Sequence, residues 1–318
     1  MKTAIITGVT GQDGAYLSEL LLKNDYSIIG LTRSYNTANF DKLEYLGIKD
    51  KIIFEECDLT DISSIINIFA KYNPDEVYNL ASQSSVGLSF NQPIGTIHYN
   101  ILSVLNLLES IKIVNKNIKF YQASSSEMFG LVKKLPITEE TPVHPVSPYA
   151  ISKASAHWIA VSYRESYNIF ACSGILFNHE SYLRSHNFFV KKVITDAINI
   201  KKGKLSKITV GNLDIKRDFG FAPHYVKAMW LMLQKDTPGD YIICSGKSLS
   251  LREILSYILK KFDVSEDIII IDPNLYRPAD IYDIYGDDSK ARNSLGWHYN
   301  MTFFDALDLI IEEELRNS

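Results

Sequence analysis

Short apolar runs and amphipathic stripes alternate along the first 177 residues. Thr3–Thr7 (TAIIT) is apolar with no polar alternation, the pattern of a parallel strand covered on both faces. The helical stretch AYLSELLLKN follows it. Further strands are predicted over 27–32, 51–55, 76–80, 118–123 and 169–176. Helices are predicted from Ile62, over 96–114 and from Tyr149 onward. Strand and helix in strict alternation imply an α/β fold with a parallel, doubly wound Rossmann sheet. Beyond Phe177 the alternation loosens, and a polar, basic stretch runs through Arg184, Lys191 and Lys192. Two amphipathic helices are expected near 251–262 and 302–315. The expected division is a dinucleotide-binding domain over 1–177 and a smaller substrate-binding lobe over 178–318. Some segments of the second part are expected to return to the first.

Composition narrows the class. The 318 residues carry a formal net charge of -4, so no basic excess points to nucleic acid or to an anionic membrane. No apolar stretch approaches membrane-spanning length, and the apolar run at the start is too short for a signal peptide. Cys57, Cys172 and Cys244 are isolated and odd in number. They form neither a zinc spacing nor a disulfide framework, so a cytoplasmic protein without a metal site is expected.

The first candidate chemistry lies at Gly8-Val9-Thr10-Gly11-Gln12-Asp13-Gly14. Strand, glycine turn and helix in that order make a dinucleotide site, where glycine admits the pyrophosphate and the helix N-terminus attracts its charge. The spacing is Gly-x-x-Gly-x-x-Gly; an ordinary glycine turn is the bland alternative. Arg33 ends the second strand. An arginine there accommodates the 2′-phosphate of NADP, where a carboxylate would select NAD; a solvated loop residue is the alternative. Asp58 either accepts from the adenine amine or caps the helix from Ile62. Small residues in Ala81-Ser82-Gln83-Ser84-Ser85-Val86 let the chain pass close to a cofactor.

The chain is organised around Ser125 to Lys153. SSSEMFG holds Ser125 and Glu127 at the end of a strand, and PVSPYAISK holds Tyr149 and Lys153. Pro148 suits a first helical turn, so Tyr149 and Lys153 stand at i and i+4 on one helical face. An ammonium beside a phenol favours phenolate. Tyr149 is then placed to take a proton from a sugar hydroxyl as hydride leaves the same carbon. A packed tyrosine with a solvated lysine is the bland alternative. Further along, Lys192, Gly211-Asn212-Leu213-Asp214-Ile215-Lys216-Arg217 and Arg277-Pro278-Ala279-Asp280 set basic groups beside loop signals, which suits a nucleoside diphosphate.

Together these pieces resemble the extended short-chain dehydrogenase/reductases, and within them the GDP-mannose 4,6-dehydratase family. The likeness runs through TGVTGQDGAYL, YNLASQSSVGLSF, FYQASSSEMFG, SPYAISKASAHWI, SGILFNHES, GNLDIKRDFG, AMWLMLQ, RPAD and GDDSKARNSLGW. The resemblance implies an enzyme, a hydro-lyase that uses NADP and acts on a GDP-sugar, most simply GDP-mannose. Tyr149 would be the base at C4, with Lys153 lowering its pKa; Glu127 would be the acid and base at C5 and C6, and Ser125 would hydrogen-bond the C4 oxygen. It extends the cofactor set to Leu59, Leu80, Ala81 and Ser82. It assigns Ser84, Ser85, Ser126, Asn178, Lys192, Gly211, Arg217, Arg277 and Asp280 to the nucleotide sugar. A homo-oligomer, dimer or tetramer, is implied, with the helices after Thr96 and Tyr149 at a two-fold interface.

The chain departs from the family at three places. Tyr182-Leu183-Arg184-Ser185-His186-Asn187 replaces a Pro-Arg-Arg-Gly-Glu run that reaches a neighbouring subunit's cofactor. Pro223 and His224 replace a charged pair, and Asp280 replaces a glutamate. These changes leave GDP-N-acetylglucosamine or a GDP-heptose open as substrates. A 4-epimerase or 4-reductase of the same fold and an NADP-binding regulatory protein are the other readings.

Overall fold

The structure, a computed structural model, describes residues 1–317. In chain order the first part is β1 (Thr3–Thr7), α1 (Gln12–Lys23), β2 (Ser27–Thr32), α2 (Asp41–Tyr45), β3 (Ile53–Glu56), α3 (Ile62–Tyr72), β4 (Glu76–Asn79), α4 (Val86–Asn91), α5 (Pro93–Val114), β5 (Lys119–Ser125), α6 (Pro148–Tyr167) and β6 (Ala171–Leu176). The second part is β7 (Asn178–Glu180), α7 (Phe189–Lys201), β8 (Ile208–Val210), β9 (Lys216–Phe221), α8 (Ala222–Leu233), β10 (Asp240–Ile243), β11 (Ser248–Ser250), α9 (Leu251–Lys261), β12 (Ile269–Ile271), α10 (Ser289–Leu295) and α11 (Phe303–Arg316).

The seven-stranded sheet runs β10-β6-β5-β4-β1-β2-β3, and every neighbouring pair is parallel. This is the expected doubly wound sheet. Strand order reverses between β1 and β4, and a ligand crevice opens at such a switch point, beyond the carboxyl ends of the strands. Apolar side chains fill both faces. Ile6, Leu17 and Tyr78 pack with Met229 and Met232 of α8 on one side. Ile5, Val77 and Phe120 pack with α3, α5 and α6 on the other. A separate core joins α7, α9 and α11 in the smaller lobe. Among the described residues no helix is long and apolar enough to cross a membrane.

Local signals explain the element ends. Pro148 opens α6 and Ser147 caps it, accepting from the Ala150 N–H at 3.0 Å. Ser250 and Thr302 form capping boxes with Glu253 and Asp305 at the starts of α9 and α11. The cap of α3 is Asp61, which accepts from the Ser63 N–H at 3.0 Å. Asp58, the residue considered for that cap, instead accepts from the Thr60 N–H and hydroxyl at 2.9 and 2.8 Å.

The stretch after Phe177 is more regular than its polarity suggests. α7 buries Val190, Val193, Ile194, Ala197 and Ile198 along one stripe; the intervening lysines and Asp196 obscure that period in the sequence. β10 returns to the central sheet beside β6. Arg164 at the end of α6 fastens it, donating to both Asp240 carboxylate oxygens at 2.9 and 2.6 Å. Cys57, Cys172 and Cys244 are all free and buried.

Candidate active site

One cavity of about 1020 Å³ opens beyond the carboxyl ends of the strands and extends under the smaller lobe. The glycine turn forms its floor. Gly8 has φ +67°, and a Cβ there would lie 2.9 Å from the Ala81 nitrogen. A Cβ on Gly14 would lie 2.3 Å from the Gly8 carbonyl oxygen. Glycine is therefore obligatory at both positions. Gly11 donates its N–H back to the Gly8 carbonyl at 2.9 Å. No side chain caps the first turn of α1, so its N–H groups are available to an anion. A dinucleotide pyrophosphate fits this cradle.

The side chains of Gln12 and Asp13 are used inside the protein, although both residues line the cavity. Gln12 accepts from the Ser181 hydroxyl at 2.8 Å. Asp13 meets His179 Nε2 at 2.9 Å, and the other ring nitrogen of His179 faces the Phe177 carbonyl at 2.8 Å. Burial alone would raise Asp13, but the charge and hydrogen bond of His179 hold it down at about 2. Burial alone would lower His179, and Asp13 outweighs it and raises the imidazole above its ordinary range. This buried pair ties the glycine turn to β7.

The remaining cofactor candidates divide. Leu80, Ala81 and Ser82 line the cavity, as does Arg33, whose guanidinium stands 5.3 Å from the Tyr99 ring centroid. Asp58 is exposed and Leu59 is core, and neither lines it. The Leu59 carbonyl accepts from Asn106 instead, at 3.0 Å.

Ser125 ends β5 and Glu127 sits in the short turn after it. Tyr149 and Lys153 reach the same cavity from the first turns of α6. The Lys153 ammonium donates to the Ala123 carbonyl at 2.8 Å and lies 5.8 Å from the Tyr149 ring centroid. Burial pushes the phenol up to about 12, and a hydrogen bond with Ser125 opposes that only in part. Burial also brings the Lys153 ammonium down to about 8. Burial is the largest influence on each group.

Above Glu127 stand two arginines. Arg217 Nε is 3.8 Å from the Glu127 carboxylate and Arg277 Nη1 is 4.0 Å from it. Arg217 also donates to Asp280 at 2.7 Å. The scaffold is β9. Lys216 and Asp218 N–H groups bond the Tyr282 and Ile284 carbonyls at 2.7 and 3.1 Å, which lays the segment after Asp280 along the strand. The fully buried Asp218 accepts from the Ser245 hydroxyl, the Ser245 and Gly246 N–H groups and the Gly286 N–H. Its own burial pushes it up to about 6.

Ser84, Ser126, Asn178 and Gly211 also line the cavity. Ser85 does too, but its hydroxyl caps α4 through the Leu88 N–H at 3.2 Å. Lys192 faces the cavity, held by Asp196 at 2.5 Å and the Thr209 carbonyl at 2.9 Å. Lys191 turns away to Glu314 and the Tyr182 carbonyl. The cavity is also lined by Gln83 and Arg184, named above only within longer stretches, and by Tyr99, which the sequence did not single out. Gln83 lies beside the serines already singled out. Tyr99 falls on the cavity face of α5, one turn after Thr96. Arg184 belongs to the divergent loop, pairs with Glu180 at 3.4 Å and stacks on Phe188.

The model of a family described as GDP-mannose 4,6 dehydratase matches residues 5–310. The chain belongs to the GDP-mannose 4,6-dehydratase family. It is 39% identical to the GDP-mannose 4,6-dehydratase of Vibrio cholerae, over 100% of this chain and 94% of that protein. In fold it matches a dTDP-glucose 4,6-dehydratase from Bacillus anthracis in complex with NAD, with TM-score 0.87 and 21% identity over 100% and 97% of the two chains. It also matches a protein named RMD from Pseudomonas aeruginosa complexed with NADPH, with TM-score 0.83 and 24% identity over the whole of both chains. Family membership and the parallel sheet agree with the reading of the sequence.

Lys153 lends itself to a test of the electrostatics. Its folded pKa lies below the unfolded value of 10.5, so the charged form is penalised in the fold. The penalty is full below pH ~8 and fades as pH rises to 10.5. Lys153→Met should raise unfolding free energy near pH 7 by up to about 3 kcal/mol. Denaturant titrations at stepped pH should show that gain shrinking between pH ~8 and ~10.5.

Proposed function

We propose that the chain removes water from GDP-mannose to give the GDP-4-keto-6-deoxy sugar, with NADP bound and not consumed. One observation carries this reading: Glu127 shares a cavity with Ser125, Tyr149 and Lys153, beneath Arg217 and Arg277. A 4-epimerase or reductase needs the hydroxyl, phenol and amine, but no carboxylate at C5 and C6.

Arg277 receives the diphosphate, which a guanidinium binds through paired hydrogen bonds, and Lys192 adds a second positive charge. Arg217, buried and bonded to Asp280 and to the Lys216 and Ile281 carbonyls, holds Asp280 and faces Glu127 from behind the cavity wall. Ser125 donates to the C4 oxygen. Tyr149 takes the C4 hydroxyl proton. When bound, the nicotinamide ring supplies a hydride acceptor for C4, a hydride donor for C6 and a positive charge that favours the Tyr149 phenolate. Glu127 removes the C5 proton, made acidic by the C4 ketone, and delivers a proton to the departing C6 hydroxyl. Lys153, fixed on the Ala123 carbonyl, orients the ribose beside Tyr149.

A mass-spectrometric assay of the purified protein without added cofactor tests the reaction. Loss of one water from GDP-mannose is expected, and less from GDP-N-acetylglucosamine or a GDP-heptose. Glu127→Gln keeps the shape of the side chain and removes the base. It should lower kcat by ~10²–10⁴-fold; unchanged turnover would point to an epimerase or reductase.

For the cofactor, Arg33 supports NADP over NAD, since its guanidinium lines the cavity at the end of β2, where an arginine accommodates a 2′-phosphate, and lies over the Tyr99 ring. Arg33→Ala should weaken NADPH binding by ~10–100-fold, the worth of a charge-assisted hydrogen bond. NADH binding should change by less than about threefold on that scale. Equal losses, measured by fluorescence titration, would assign Arg33 to a part shared by both cofactors.

For assembly, α5 and α6 support a homodimer. They pack on each other and leave Ile94, Ile151 and Trp158 at 84%, 43% and 57% exposure. Ile151 and Trp158 lie two turns apart on one face of α6. Trp158→Arg should halve the mass seen by light scattering, and a mass equal to that of the unaltered protein would move the interface elsewhere.

A further inference from the structure

A line of polar side chains crosses the middle of the sheet, at the level where the strands give way to the cavity loops. Thr7 of β1, Asn79 of β4 and Gln122 of β5 are register partners across three adjacent strands. They are 0%, 1% and 1% exposed. Positions of this kind in a doubly covered parallel sheet ordinarily hold aliphatic residues, and a buried amide is costly unless its hydrogen bonds are made.

Here the bonds run in one direction. The Thr7 hydroxyl donates to Asn79 Oδ1 at 2.7 Å, and Asn79 Nδ2 donates to Gln122 Oε1 at 2.9 Å. Gln122 Nε2 donates to the Ala123 carbonyl at 3.1 Å. That carbonyl is the one that accepts from Lys153 Nζ at 2.8 Å. At the other end, Thr7 Oγ1 accepts from the Leu80 and Ala81 N–H groups at 3.1 and 3.0 Å. These two residues wall the cavity beside Gly8. Bonds in series polarise one another, so the ends of the line are not independent.

We propose that Thr7, Asn79 and Gln122 are positioning residues, which set the Leu80–Ala81 backbone and the Lys153 ammonium against each other through one continuous hydrogen-bonded line. The inference rests on the reading of Lys153 and the Leu80–Ala81 loop as cofactor and catalytic groups. None of the three side chains lines the cavity; each acts through a backbone group that does, or that holds Lys153. The strands that carry them are also joined by a continuous backbone ladder.

The test uses shape against chemistry. Thr7→Val keeps the volume and branching and removes the hydroxyl; Thr7→Ser keeps the hydroxyl and removes a methyl. If the role were packing, valine would be tolerated and serine would not. The proposal expects the reverse. Thr7→Val should lower kcat for GDP-mannose tenfold or more with KM changed less than twofold, and weaken NADPH binding at least fivefold. Thr7→Ser should stay within threefold of the unaltered protein in both. Gln122→Met, at the far end and free of contact with the glycine turn, should reproduce the kcat loss. It keeps the test open if Thr7→Val does not fold. Full kcat in Thr7→Val or Gln122→Met, or equal damage from valine and serine, overturns the proposal. If the unaltered protein does not dehydrate GDP-mannose, the proposed reaction fails. NADPH affinity across the Thr7 pair then decides the inference alone.

Discussion

Backbone meets backbone at the switch point of the sheet, and the rest of the site depends on how closely. The turn after β1 passes so near the Leu80–Ala81 segment that a single methyl at Gly8 would collide with it. The same turn lies under the first residues of α1 with no room for a methyl at Gly14. Only this closeness brings a helix N-terminus, the end of β4 and the end of β5 to one crevice. Ser125 and Glu127 are attached at the end of β5, and Tyr149 and Lys153 reach the same crevice from α6.

The electrostatics follow the same economy. These buried charges near the site each have a partner of opposite sign or a hydrogen-bond partner: Asp13 with His179, Arg217 with Asp280, Lys153 donating to the Ala123 carbonyl and Asp218 accepting from four donors. Unpaired, such groups would neutralise or unfold the region. Glu127 and the two arginines stand farther apart, at 3.8 and 4.0 Å. Arg277, one of the two arginines nearest Glu127, is also the proposed receiver of the diphosphate, so the arrival of substrate and the surroundings of the base are linked.

What could be read in the sequence was whatever leaves a local mark. β1 and β2 were bounded by their apolar runs, and Pro148 fixed Tyr149 and Lys153 one turn apart. Glycine spacing announced the turn. What could not be read was the destination of a side chain. Lys153 bonds a carbonyl thirty residues away, and a carbonyl has no letter in the sequence. Asp58 and Leu59 stood next to a strand end, yet one points to Thr60 and the other into the core. The stripe of α7 was hidden because Lys191, Lys192 and Asp196 sit between its apolar positions. Lys191 and Lys192, adjacent and chemically alike, take opposite sides of that helix.

The strand order has a consequence for the history of each molecule. β10 is the last strand of the sheet by sequence and sits against β6, and the Ile137 backbone pairs with Tyr285 and Asp287. A chain emerging from the ribosome can therefore complete the glycine turn, and with it a cofactor cradle, long before it has made the residues that close the opposite edge. Long-range contacts of this kind form late and slowly. During that interval the apolar edge of β6 is bare, and a ligand already seated in the cradle would hold the nascent half in shape while the remainder arrives.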